Sequence, residues 1–279
     1  MSKSYFNHIK TGETLPINNV HAVSVSMPYF QDVIDYEEQT KEICEKIQSG
    51  YPRFMLHPYL KKLASYIKQK YNINNKYEPV LLSSQKAVKL VSDKYFIHNK
   101  VDIDEPFGVI LVQNGTSQLQ KVLSYIQHVG CNLSSRFAQD YLYNIGLLHC
   151  KQKEELEDKN LAKSIILDEL SKAYEQPKEK IMLAPSGMNA IYATIRGLNA
   201  IQGKNGRNIL VQFGWLYLDT MNIVNHHYKQ SKTFIDILDI DLLEEYLQDN
   251  GFQVSAIITE MPTNPLLKTV DIKRLRALC

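Results

Sequence analysis

The sequence predicts an α/β fold with a parallel or mixed sheet, and three observations carry that prediction. From Lys178 onward, short strand-like runs alternate with helical segments at the pitch of parallel βαβ units. Within that half, Ala184-Pro185-Ser186-Gly187-Met188-Asn189-Ala190-Ile191 reads as a tight turn running straight into a helix. The composition, 44% hydrophobic and 22% charged over 279 residues, is that of a soluble globular chain able to bury a substantial core.

The elements follow in order. Residues 1–30 hold turn signals at Thr11-Gly12 and Leu15-Pro16 and a strand-like run, His21 to Ser26, that Pro28 ends. Gln31 to Gln48 reads as one helix, rich in Glu and Lys, stopped by Ser49-Gly50. The run Tyr51-Pro52-Arg53-Phe54-Met55-Leu56-His57-Pro58 carries two prolines and must be extended or turned. A helix is expected from Tyr59 to Lys70, with Leu60, Leu63, Ala64 and Ile67 as its apolar face. The polar stretch Asn72 to Lys76 marks a loop and a boundary.

Residues 78–150 read as a small α/β unit. Its strands are Pro79 to Leu82 and Gly108 to Val112; its helices are Ser84 to Lys94, Ser117 to His128, and one capped by Cys131 to Ala138 that runs to Leu148. Asn114-Gly115-Thr116-Ser117 follows a strand but lacks the P-loop lysine and the Rossmann glycine pattern, so it reads as an ordinary turn. Residues 151–176 are expected as a long, partly exposed helix with a solvated charged face.

After Ser186, the apolar positions Met188, Ile191, Ile195, Leu198 and Ile201 fall on one helical face, and Gly203 ends the helix. Strands are expected at Asn208 to Phe213, Thr233 to Leu238 and Val254 to Thr259, and helices at Asp219 to Tyr228 and Asp241 to Gln248. Free N–H groups at Gly187 and Met188 would meet an anion where the helix macrodipole favours one. On these residues alone two readings stay open, an ordinary N-capped core helix and a phosphate seat. Parallel sheets take ligands at the carboxyl ends of their strands, where Phe213-Gly214-Trp215 and Glu260 to Pro265 fall.

A net charge of +2 gives no electrostatic reason to expect nucleic acid or an anionic membrane as a partner. The four cysteines are scattered without metal-type spacing, so reduced thiols and no metal site are expected. No signal-like or membrane-spanning stretch is evident, and a cytoplasmic location is expected.

Three motifs occur in sequence: Tyr51-x-Arg53 followed by His57-Pro58, Ser186-Gly187-Met188, and Glu260-x-Pro262-Thr263-Asn264-Pro265. Together they resemble the pyridoxal-phosphate enzymes of cysteine and methionine metabolism. The runs His21 to Pro28, Tyr51-Pro52-Arg53-Phe54 and Leu133-Ser134-Ser135-Arg136 narrow the resemblance to a cystathionine γ-synthase-like branch with a long insertion. This resemblance implies the aspartate aminotransferase-like, type I fold of PLP-dependent transferases. Residues 1–74 would form an N-terminal arm and cofactor-phosphate segment, 75–178 an inserted α/β-helical region, and 179–279 the first part of the large PLP-binding domain.

The resemblance also implies a site for pyridoxal 5'-phosphate. Gly187 and Met188, with Ser186 beside them, would hold the cofactor phosphate, and Tyr51 and Arg53 would reach a neighbouring subunit's phosphate across a dimer interface. Phe213 would stack on the pyridine ring, with Trp215 or Tyr217 as alternatives because a tyrosine is usual there; Asn264 would bond the 3′ oxygen. His57 stands where the family has asparagine and is assigned no catalytic role.

The family's pyridine-pairing aspartate and Schiff-base lysine are expected downstream of Cys279, because Lys232 and Lys268 fall in a turn and a loop without the motif. No catalytic residue is therefore expected within the chain, which reads as an incomplete copy, inactive alone. The implied reaction joins an activated homoserine ester to cysteine, giving cystathionine. A γ-lyase or sulfhydrylase of the same family remains open, as does a non-catalytic binding or association protein. Small amino acids are the expected substrates, and a homodimer or homotetramer the expected assembly. A sheet cut after its third or fourth strand is expected to leave an apolar edge and marginal stability.

Overall fold

The computed structural model describes residues 9–47, 49–50, 55–98, 105–154, 156–228 and 230–279. Tyr51 and Arg53 lie outside these residues. The chain divides into two compact units, residues 1–123 with 131–181, and residues 124–130 with 182–279.

The first unit opens with a short antiparallel pair, β1 (Thr14–Leu15) and β2 (Ser24–Val25). The single helix expected over Gln31 to Gln48 is instead two, α1 (Phe30–Glu37) and α2 (Lys41–Lys46). The break falls at Gln39, whose φ is +54°, and no glycine marks it in the sequence. Next come α3 (Pro58–Lys70), β3 (Tyr77–Leu82), α4 (Gln85–Tyr95) and β4 (Gly108–Gln113), and β3 pairs antiparallel with β4. Helix α5 (Ser117–Val129) leads to α6 (Ser135–Asn144) and to α7 (Lys159–Tyr174), which Asp158 caps. Leu63 and Ile67 of α3 meet Val109 of β4 and Ala138 and Leu142 of α6 in one buried cluster, as the apolar spacing of α3 requires.

A hydrogen-bonded hub ties three distant segments of this unit. His57 Nε2 lies 2.7 Å from the Val20 carbonyl, which can only accept, so that nitrogen carries the proton. Nδ1 then accepts the Tyr59 N–H at 3.1 Å and caps α3. Alongside it, stacked at 5.6 Å between ring centroids, His21 donates from Nε2 to Gln139 Oε1 at 2.9 Å and meets Ser135 Oγ at 3.0 Å through Nδ1. Gln139 completes the set, accepting the Gln152 N–H and donating to the Tyr59 hydroxyl. The runs at His21, His57 and Ser135, far apart in sequence, thus converge on one partly buried polar cluster, in which His21 and Gln139 are the buried members.

The second unit holds α8 (Gly187–Gln202), β5 (Ile209–Phe213), α9 (Leu218–His227), β6 (Gln230–Phe234), α10 (Ile240–Asn250), β7 (Val254–Ile258) and α11 (Ile272–Leu278). Its strands form a parallel sheet in the order β6-β5-β7. Central β5 is buried from Leu210 to Phe213. The β6 strand ends at Phe234, paired with Phe213, rather than extending to Leu238. Its exposed start, Gln230-Ser231-Lys232, belongs to a polar sheet edge that carries no alternation to read. Lys232 accordingly lies in a strand and not in a turn. On α8 the buried positions are Tyr192 and Ile195, whereas Ile201 is exposed.

Candidate functional site

The α8 N-terminus forms as its residues require. Ser186 is extended, at φ −154° and ψ 162°, and its Oγ accepts the Asn189 N–H at 3.1 Å. The hydroxyl proton goes to the Gly130 carbonyl at 3.2 Å, so Ser186 serves as cap and tether. Among the described residues no hydrogen bond uses the Gly187 or Met188 N–H. Gly187 is exposed, Met188 half-buried, and a Cβ placed on Gly187 would meet nothing within 4 Å. Two unspent donors at the positive end of a sixteen-residue helix, facing open space, fit a phosphate group.

A short link, residues 203–208, joins α8 to β5, and in parallel α/β sheets ligands are taken at the carboxyl ends of the strands. At that end β5 passes into Gly214, whose φ of +89° and whose approach to Ile237 exclude a side chain; a Cβ would stand 3.0 Å from Ile237 Cβ. Phe213 is fully buried, set edge-to-face against Phe234 in the core, and offers no ring face to a ligand. The exposed aromatic at this edge is Trp215, which lines a cleft of about 80 Å³ with Asp236, Thr263 and Lys268. Because β5 is buried on both faces from Leu210 to Phe213, no alternation in the sequence separates 213 from 215, and the positive φ of Gly214 turns the chain between them.

Asn264 is exposed on the loop after β7 and makes no hydrogen bond among the described residues. The loop beneath it is fastened. Thr263, buried, donates its N–H to the Lys268 carbonyl at 2.9 Å, and its Oγ1 accepts the Lys268 N–H at 3.1 Å. Lys268 Nζ pairs with Asp236 at 2.9 Å, which holds that carboxyl below its ordinary range. Glu260 accepts the Tyr217 N–H at 2.9 Å and so joins the end of β7 to the start of α9. Trp215 and Asn264 thus follow the carboxyl ends of the neighbouring strands β5 and β7, while Phe213 is buried in the core.

Sequence reasoning missed the residues behind the α8 N-terminus. Besides the Ser186 tie, the Val129 carbonyl accepts from Asn189 Nδ2 at 3.1 Å. One signal was available: a glycine just past the end of a helix is the commonest left-handed C-terminal residue, and Gly130, two residues beyond the expected end at His128, has φ +62°. Among the described residues there is no cluster of three or more metal-ligating side chains, and no helix long and apolar enough to cross a membrane.

Residues 153–279 match the family of Cys/Met metabolism PLP-dependent enzymes. The chain is similar to an L-2-amino-4-chloropent-4-enoate dechlorinase/desaturase of Streptantibioticus cattleyicolor, 29% identical over 266 residues that cover 93% of this chain and 52% of the relative. It is also similar to a cystathionine gamma-synthase-like enzyme of Amanita muscaria, 24% identical over 97% of this chain and 58% of the relative. A cystathionine gamma-synthase of Neurospora crassa is 24% identical over 96% of this chain and 62% of the relative. The chain therefore spans about half the length of the curated relatives it matches. No solved structure matches it. Residues 153–279 thus match the pyridoxal-phosphate-dependent enzymes of cysteine and methionine metabolism, and the chain is similar along nearly its whole length to enzymes named cystathionine gamma-synthase or cystathionine gamma-synthase-like.

Proposed function

We propose that this chain carries the cofactor-phosphate seat of a cystathionine γ-synthase-like enzyme, which replaces the activated γ-oxygen of a homoserine ester with the sulfur of cysteine. The observation that carries the reading is the open α8 N-terminus, with unspent N–H groups at Gly187 and Met188. Pyridoxal phosphate, when bound, supplies an electron sink for charge developing beside the α-carbon of an amino acid. The chain's own residues bind and orient. Gly187 and Met188 hold the phosphate dianion, Trp215 covers one face of the ring, and Asn264 presents an amide to its 3′ oxygen. The Asp236–Lys268 pair and the Thr263 bonds keep the Asn264 loop in place. The names of two relatives, a dechlorinase acting on a 4-chloro amino acid and a γ-synthase, share the departure of a substituent from the γ-carbon, which supports that reaction class.

The substitution Gly187→Pro tests the seat. Proline is tolerated in the first turn of a helix and removes one N–H, and the extended Ser186 suits a residue before proline. Equilibrium dialysis of the chain with pyridoxal phosphate is expected to show saturable binding that Gly187→Pro weakens on the order of tenfold, the worth of one charge-assisted hydrogen bond. Binding of pyridoxal, which lacks the phosphate, should be the same for both. Absence of saturable pyridoxal-phosphate binding, or equal affinity in the variant, would sink the proposal.

A further inference from the structure

We propose that the last turn of α5 is a positioning element for the phosphate seat, and that Gly130 is its determining residue. The inference rests on the reading of the α8 N-terminus as that seat. This turn, residues 124–130, belongs to the second unit, although the rest of α5 belongs to the first. Side chains and carbonyls clamp it along its length. The Tyr125 hydroxyl meets the Tyr192 hydroxyl of α8 at 2.7 Å, deep in the core. Gln127 donates to Asp219, in the first turn of α9, at 3.2 Å, and His128 lies 3.7 Å from the same carboxylate. At the very end, the Val129 and Gly130 carbonyls take the Asn189 amide and the Ser186 hydroxyl.

The consequence is geometric. A helix C-terminus presents carbonyls that would compete for the N–H groups of a facing helix N-terminus. Here those two carbonyls are satisfied by side chains, so the Gly187 and Met188 amides stay unspent. The arrangement depends on contact closer than any side chain allows. A Cβ on Gly130 would stand 2.2 Å from Ser186 Oγ, 2.9 Å from the Asn189 nitrogen and 3.1 Å from Met188 Cβ. Two of these atoms are not the far ends of flexible chains, so the α8 N-terminus itself would have to move. Gly130 thus sets where the two phosphate donors point without touching the phosphate.

The test compares Gly130→Ala with Gly206→Ala in the full 279-residue chain. Gly206 has φ +76° and open space around it, so its substitution carries the cost of left-handed backbone without the collision. Amide hydrogen exchange at Asn189 and Ala190, whose N–H groups are accepted by the Ser186 Oγ and carbonyl, is read with and without pyridoxal phosphate, together with affinity. In Gly130→Ala, exchange at these two amides is expected to rise about tenfold relative to the sheet amides, and pyridoxal-phosphate affinity to fall by a similar factor; Gly206→Ala should leave both unchanged. Should the unaltered chain bind no pyridoxal phosphate, the functional reading fails, and the exchange comparison alone still decides the positioning role. Unchanged exchange at Asn189 and Ala190 in Gly130→Ala overturns the inference. If circular dichroism shows that Gly130→Ala does not fold, Asn189→Ala takes its place. It cuts the Val129 tie without adding bulk and should raise exchange at the same amides, and failure to do so overturns the inference equally.

Discussion

His57 illustrates how one substitution within a family motif keeps a structural task while changing the chemistry attached to it. Asparagine before proline caps a helix with its side-chain oxygen; here Nδ1 of His57 accepts the Tyr59 N–H in that role, and Nε2 gains a second bond to Val20. The Tyr59 bond needs Nδ1 unprotonated; the Val20 bond survives protonation and favours it, but burial outweighs that bond and holds the pKa below the ordinary value of about 6.5. The unfolded chain therefore takes up the proton at higher pH than the folded one. The stability this contributes is fully present above about pH 6.5 and is lost as pH falls through the folded pKa. His128 acts with the same sign, since its burial outweighs the Asp219 carboxylate. We expect urea midpoints to fall between about pH 7.5 and about pH 5.5, and to fall less in His57→Asn, which keeps a cap but cannot titrate. At the higher pH that variant should cost about 1 kcal/mol for the lost Val20 bond, and His57→Ala about 1 kcal/mol more for the cap. An equal pH dependence in unaltered and His57→Asn chains would show that the hub does not titrate through this ring.

At the scale of elements, the ends of helices and strands do the positioning, and they are what the sequence expresses least clearly. Glu260 sits in a quoted motif but had no role until the structure placed its carboxylate on the Tyr217 N–H at the start of α9. A carboxylate there accepts a charge-assisted bond and faces the positive end of the helix. Glu260→Ala is expected to cost about 2 kcal/mol of unfolding free energy and Glu260→Gln about half of that, since the amide keeps an acceptor but no charge. Equal losses in urea titrations would mean that the side chain acts only by filling space. Periodicity made α3, α5 and α10 legible, because each buries a stripe at helical spacing. It could not show the break at Gln39, where no glycine or proline stands, nor the extent of β6, whose polar edge has no buried face to alternate with. The Ser186 cap at the start of α8 was legible because capping chemistry is local. Phe213 was misplaced from the site because a motif locates the backbone, whereas packing against Phe234 decides which aromatic points outward. Gly130 was missed because its role depends on a contact with α8, far away in sequence.

For the molecule as a whole, the two edges of the second unit's sheet differ in kind. The β6 edge is the polar run Gln230-Ser231-Lys232-Thr233, with a lysine to discourage pairing with another strand. The β7 edge is Val254-Ser255-Ala256-Ile257-Ile258, without a charge, a proline or a glycine. Among the described residues, β7 pairs only with β5. Its one hydroxyl, on Ser255, is turned inward to the Ile209 carbonyl and the Tyr228 hydroxyl, so it does nothing to blunt the edge. A short, apolar strand with unpaired backbone donors and acceptors is a template for intermolecular pairing. The purified 279-residue chain is therefore expected to associate as its concentration rises, and Ala256→Lys, at a half-buried position in the middle of that strand, should suppress the association. Lys232→Thr, on the opposite edge, should increase it. Light scattering after size-exclusion chromatography, with far-UV circular dichroism to establish that each variant is folded, checks both. If Ala256→Lys is folded and associates like the unaltered chain, then pairing does not run through β7. Indifference to Lys232→Thr would remove the claim that the lysine protects the other edge.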